Sequence, residues 1–206
     1  MSAVRAVKDP EADPKQGKER AKSGVRFPYN DLSESIEVAK IIHEKAGGLC
    51  DLAQLAAMLE YSGVGNGAFR MRVSAAKMFG LVEEADERKL KVSARGQAIV
   101  APISDSLATQ ARVDAFMAVD LFKRVYDRFH GTSLPEQVGL RNLLSTEYQV
   151  VADRVTPTVR IMLDSAEQAG LFRATGNRTR MVMPLSGGAG VVTPAPTATK
   201  QEQPPS

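Results

Sequence analysis

Residues 51–92 read DLAQLAAMLEYSGVGNGAFRMRVSAAKMFGLVEEADERKLKV. Asp51 offers a side-chain acceptor just ahead of an apolar run, which predicts a short capped helix reaching about Glu60. The glycines of YSGVGNG (61–67) break that run and lead into a helix over about 68–79. On it Phe69, Val73, Ala76 and Gly80 recur three and four apart, with Ala75 and Phe79 beside them, so this stripe is the expected core side. Leu81-Val82 and Leu90-Lys91-Val92 then flank the charged stretch EEADERK and predict the two strands of a hairpin.

Working outward, Asp31 is placed to cap a helix over 32–46, and Ser93-Ala94-Arg95-Gly96 opens a short helix that ends before Pro102. Three helices followed by a β-hairpin is the order of a winged helix, a helix-turn-helix variant. A weak duplication repeats that order. With an offset of 83, Glu37-Val38-Ala39-Lys40 falls over Asp120-Leu121-Phe122-Lys123; with an offset of 90, VSAAKMFGLV (73–82) falls over LDSAEQAGLF (163–172). The second copy is expected to place helices over 113–129, 135–144 and 157–169 and a hairpin over 170–184. Chance likeness between amphipathic helices is the competing explanation. The expected fold class is mainly α with short β-hairpins, as tandem winged-helix-like modules over 27–102 and 103–185.

The chain has 206 residues, 27 basic and 24 acidic, and a formal charge of +3. A single cysteine excludes an intramolecular disulfide framework, and no apolar run approaches the roughly 20 residues of a membrane helix. Residues 1–26 are basic without the apolar segment of a secretory signal, so a cytoplasmic location is expected. They hold seven basic and four acidic residues and almost no large apolar one, and are expected to be a disordered arm. A Gly/Pro/Thr tail, 186–206, is expected to be disordered as well. Residues 27–185 are neutral, so the whole excess lies in the arm.

FPYNDLSESIEVAKIIHEKAGG (27–48) followed by LAQLAAMLEYSGVGNGAFRMRVSAAKMFGLVE (52–83) resembles a poorly characterised bacterial family of winged-helix-like proteins, over about 27–184. The resemblance implies a compact helical domain with a DNA-binding or regulatory role, and brings no chemistry or cofactor with it.

Asn66, Arg70, Ser74 and Lys77, with Arg72 at the flank, form the polar stripe opposite the apolar one. Arg pairs with guanine edges and Asn with adenine, while Ser and Lys commonly meet phosphate, so these are the candidate DNA-binding residues. A solvated helix face has the same composition. At the matching positions of the second copy Arg70 becomes Arg160, but Ser74 and Lys77 become Asp164 and Glu167, which repel phosphate. In the second hairpin Arg173, Arg178 and Arg180 occur without any acidic residue from Leu171 to Pro184, a composition suited to the DNA backbone and equally to a solubilised edge. The sequence therefore suggests a split reader: the third helix of copy one and the hairpin of copy two, helped by Lys15, Lys18, Arg20, Lys22 and Arg26 of the arm.

For an enzyme little is present. His43 and His130 fall near helix C-termini, where a cation suits the helix dipole. Cys50, beside Asp51, reads as a small packed residue or as a thiolate at a helix entrance. The glycine-rich turn lacks the Lys-Ser/Thr of a phosphate loop. The expectation is a non-enzymatic, nucleoid-associated transcriptional regulator of double-stranded DNA, without metal or cofactor. Leu121, Phe122, Val125, Tyr126 and Phe129 form a stripe that serves either as core or as the surface of a homodimer. The alternative function is a protein-interaction adaptor.

Overall fold

The computed structural model describes residues 23–85 and 89–184. The expectations for the bulk of the arm, the first hairpin's tip and the tail lie outside these residues. Ser23 to Arg26, assigned to the arm by sequence, are instead held on the fold. Gly24 N–H donates to the Gln149 carbonyl at 3.2 Å, Val151 N–H donates to Ser23 Oγ at 3.1 Å, and Val25 packs against the core.

The first half follows the sequence closely. Helix α1 (Leu32–Ala46) starts at a reciprocal cap in which Asp31 accepts from Glu34 N–H and the Glu34 carboxylate accepts from Asp31 N–H. Helix α2 (Leu52–Met58) starts the same way from Asp51 and Gln54. Helix α3 (Gly67–Met78) is capped by Asn66. Strands β2 (Val82–Ala85) and β3 (Lys89–Val92) form the expected hairpin, and Ser93 caps α4 (Ala94–Val100).

A third strand, β1 (Leu49–Asp51), had no signal in the sequence because three residues are too few to show alternation. It pairs antiparallel with β3, Cys50 opposite Leu90, and gives a sheet in the order β1-β3-β2. Cys50, Val82 and Leu90 are buried, which places the sheet over the core beside α1.

The second half departs further from expectation. In place of one helix over 113–129 there are two, α5 (Asp105–Ala118) and α6 (Asp120–Phe129), separated by Val119 in an extended conformation (φ −83°, ψ 108°). Phe116 and Phe122 are six residues apart and would point about 120° away from each other on one straight helix. The break stacks their rings at 5.3 Å with both fully buried. Helix α7 (Gln137–Thr146) lies near its expected place. Helix α8 (Ala152–Gln168) starts five residues before Pro157, which sits inside it.

The second hairpin does not form: residues 170–184 make turns and no strand. Only isolated ladder-like bonds survive, Val182 N–H to the Leu171 carbonyl (2.8 Å) and Leu134 N–H to the Thr179 carbonyl (2.7 Å).

Two local backbone features recur in the two halves. Helix α3 ends with bonds from Phe79, Gly80 and Leu81 N–H to the carbonyls of Ala75, Lys77 and Ala76; α8 ends with the same three from Ala169, Gly170 and Leu171 to Ser165, Glu167 and Ala166. After α2 and α7 the chain turns through a non-glycine residue with positive φ, Glu60 (60°) and Gln149 (53°). One hydrophobic cluster nevertheless runs through both halves. Phe79 meets Phe122 at 6.2 Å, and the N–H groups of Leu32 and Ser33 at the start of α1 donate to Ser165 and Gln168 of α8. Among the described residues no helix is long and apolar enough to cross a membrane.

Candidate nucleic-acid interface

Helix α3 is oriented by its apolar stripe. Phe69, Val73, Ala75, Ala76 and Phe79 are buried, so the opposite side must face outward. Its far end is fixed by the start of α4: Ser93 Oγ donates to the Gly80 carbonyl at 2.6 Å and Arg95 Nη1 to the Phe79 carbonyl at 2.9 Å. Arg95 thus occupies the carbonyls left open at the helix C-terminus, where a cation is also favoured by the dipole.

The five residues singled out on this helix divide into two groups. Arg70 and Ser74 are exposed, and the Arg70 guanidinium has no partner among the described residues. Asn66, Arg72 and Lys77 are engaged within the fold. Asn66 Oδ1 accepts from Ala68 and Phe69 N–H at 2.9 and 3.2 Å, which leaves only its Nδ2 donors. Two-point reading of adenine requires both amide atoms, so Asn66 reads a base that way only by giving up the cap. Arg72 Nε approaches the Glu34 carbonyl at 3.4 Å, and Lys77 Nζ is 2.6 Å from Glu84 Oε1. Hydrogen bonding and the positive charge of Lys77 lower the Glu84 pKa below its ordinary value.

The cationic character of this face therefore comes from fewer of its own residues than the sequence indicated, and from one of the cations expected in the arm. Arg26 lines an open cleft of about 310 Å³ with Ser74, Lys77 and Asp120. The acidic hairpin is partly compensated, since Glu83 is paired with Lys91 at 3.0 Å in addition to the Glu84 pair.

The second proposed surface is not a hairpin, and its three arginines have different surroundings. Arg173 is exposed without a partner among the described residues. Arg178 reaches back to α8, with Nη1 2.9 Å from Asp164 and Nη2 bonded to Glu167; these bonds raise its pKa against the opposing effect of partial burial. Arg180 donates to the Gly131 carbonyl. The acidic helix face, which looked like a separate feature in the sequence, is paired with one of the three arginines, Arg178.

The remaining candidates are structural. Leu121, Phe122 and Val125 are fully buried in the chain's own core, so that stripe is not a free surface for a second copy. His130 stacks on Tyr126, and His43 lies in the last turn of α1. Cys50 is buried, and desolvation, followed by the nearby Asp51 charge, raises its pKa, the opposite of thiolate activation.

Compared with known proteins, the chain matches no family model, no curated protein and no solved structure. The resemblance drawn from the sequence thus rests on its quoted residues alone.

Proposed function

We propose that the first half is a winged-helix-like module that binds duplex DNA through the outward face of α3, in a non-enzymatic transcriptional regulator. The observation that carries this reading is Arg70, exposed and without a partner among the described residues, with Ser74 one turn further on and Arg26 lining a cleft with Ser74, on a helix whose other side is locked into the core. Support comes from the element order α1-β1-α2-α3-β2-β3 with sheet order β1-β3-β2, in which α3 follows α2 as the second helix of a helix-turn-helix. In this reading the second half is a wingless relative of the same module. Arg70 takes the base edge or phosphate nearest the start of α3, Ser74 and Arg26 hold phosphate, and the residues before Ser23 add salt-dependent affinity.

A protein-interaction adaptor is the competing reading, favoured by Val64 and Met71, which are 46% and 43% exposed on either side of Arg70. Titration of labelled duplex DNA at two salt concentrations separates the two. With Arg70→Ala, affinity should fall by about tenfold, as expected for one good side-chain contact. Equal binding by wild type and the Arg70→Ala, Arg72→Ala, Lys77→Ala triple variant would reject the α3 face. Deletion of residues 1–22 should reduce affinity and its salt dependence but leave discrimination between DNA sequences intact.

A further inference from the structure

We propose that the cleft between α3 and the α5–α6 break is a site for a small organic anion with an apolar body, and that such a ligand competes with duplex DNA. The competition rests on the DNA-binding reading of α3; the site itself does not.

The cleft holds about 310 Å³, at the lower end of the roughly 300–1,000 Å³ of small-molecule sites. Ser74, Lys77 and Met78 enter it from one face of α3, being three and four residues apart. The break itself supplies Ala118, Val119 and Asp120, where α5 gives way to α6. Arg26 completes the lining, and the chain that carries it is fixed: Gly24 is bonded to Gln149, Val25 packs against the core and Phe27 is buried. Met78, Ala118 and Val119 give the cleft an apolar part, suited to hydrocarbon rather than to a bare ion.

The polar groups select the sign of the ligand. Three ionised side chains line the cleft, and two of them are matched by residues that do not: Lys77 Nζ lies 2.6 Å from Glu84 Oε1, and Asp120 Oδ2 lies 2.9 Å from Arg124 Nη2. Arg26 and the Ser74 hydroxyl have no partner among the described residues. The charge left over is therefore that of Arg26, and both open groups can donate hydrogen bonds. A carboxylate or phosphate takes two parallel bonds from a guanidinium, with Ser74 and the further N–H groups of Lys77 within the same lining. An ammonium group would meet Arg26 as a like charge. Asp120 opposes the anion, which fixes the direction of one variant below. Because Arg26 and Ser74 are also the groups assigned to DNA phosphate, one occupant excludes the other.

The test uses the full chain and four probes of similar shape at constant ionic strength: benzoate and phenyl phosphate as anions, benzamide as the neutral form and benzylamine as the cation. Titration followed by amide NMR should show a saturable shift at Ser74, Lys77 and Val119 with at least one anion. Arg26→Ala should weaken that binding by about tenfold, as loss of a charged hydrogen-bond partner does, and Asp120→Asn should tighten it. Equal shifts with benzamide or benzylamine, full affinity in Arg26→Ala, or weaker binding in Asp120→Asn would overturn the anion site. A labelled duplex is then titrated with the anion at ten times its dissociation constant, where exclusion should lower DNA affinity by about tenfold. Undiminished DNA affinity would overturn the competition and leave the α3 reading standing. Arg70→Ala should lose DNA affinity and keep the anion. No DNA binding by wild type removes the α3 reading and the competition together, while the anion titration still decides the site.

Discussion

Gly80 and Gly170 close α3 and α8 in the same left-handed conformation, φ +68° and +82°, but different groups stand over them. A Cβ at Gly80 would run into the Arg95 guanidinium that caps α3, whereas at Gly170 it would lie 3.3 Å from Nε of Arg173, an exposed chain that can move. Each substitution by alanine costs about 1–2 kcal/mol for the backbone conformation alone. Gly80→Ala additionally displaces Arg95 from the Phe79 carbonyl. Thermal melts should therefore show the larger drop for Gly80→Ala, with Gly170→Ala falling by about 2–8 °C, at 2–4 °C per kcal/mol for a chain of this size. Equal shifts would mean that the Arg95 contact contributes nothing.

Gly96 presents a harder constraint. A Cβ there meets the Leu81 carbonyl oxygen, which is backbone and cannot rotate away, and Val92 Cγ1 at 2.8 Å. Gly96→Ala should destabilise by about 3 kcal/mol or more, as overpacking against rigid atoms does, and a urea unfolding curve checks it. A wild-type midpoint would rule out the close approach of α4 to the segment before β2.

Asn66 offers a separation of capping from recognition. Asn66→Ser keeps a cap acceptor and loses the amide donors; Asn66→Ala loses both and should cost about 1 kcal/mol. If Asn66 is a cap only, Asn66→Ser retains wild-type stability and DNA affinity. A selective loss of DNA affinity in Asn66→Ser would show that the Nδ2 donors reach the duplex.

The Lys77–Glu84 pair gives a pH signature. Glu84 titrates below its ordinary 4.5 in the folded chain, so its contribution is fully present above the unfolded pKa and disappears as pH falls through the folded value. Both groups are exposed enough that the effect on stability should be small. Carboxyl NMR should place the Glu84 midpoint below 4.5 and return it to about that value in Lys77→Ala. An unchanged midpoint in the variant would dissolve the pair.

Cys50 should be inert in the native state. Its raised pKa keeps the thiol neutral at pH 7–8, and its burial on β1, opposite Leu90 of β3, blocks access. Alkylation by iodoacetamide should be slow in buffer and fast in denaturant. Rapid native alkylation would show that β1 opens readily.

Local sequence determines where most of the first-half helices start. Asp31, Asp51 and Ser93 each end one segment and cap the next through their own side chains, so the starts of α1, α2 and α4 follow from a few neighbouring residues. The α3 core stripe is likewise a matter of helical spacing, and Phe69, Val73, Ala76 and Phe79 are buried as that spacing requires.

Contacts between distant residues decided the rest. Strand β1 exists because Leu49 to Asp51 find Lys89 to Lys91, and α8 starts early with Ser23, 128 residues away in sequence, accepting from Val151 at its N-cap. The α5–α6 helix breaks at Val119, which is neither proline nor glycine, because burying Phe116 against Phe122 needs the bend. Charge behaved in the same way. Sequence alone determined that the folded region is neutral and where its cations lie along the chain. Tertiary structure determined which of those cations are already matched, because an ion pair such as Arg178 with Asp164 and Glu167 depends on distances that no local pattern encodes.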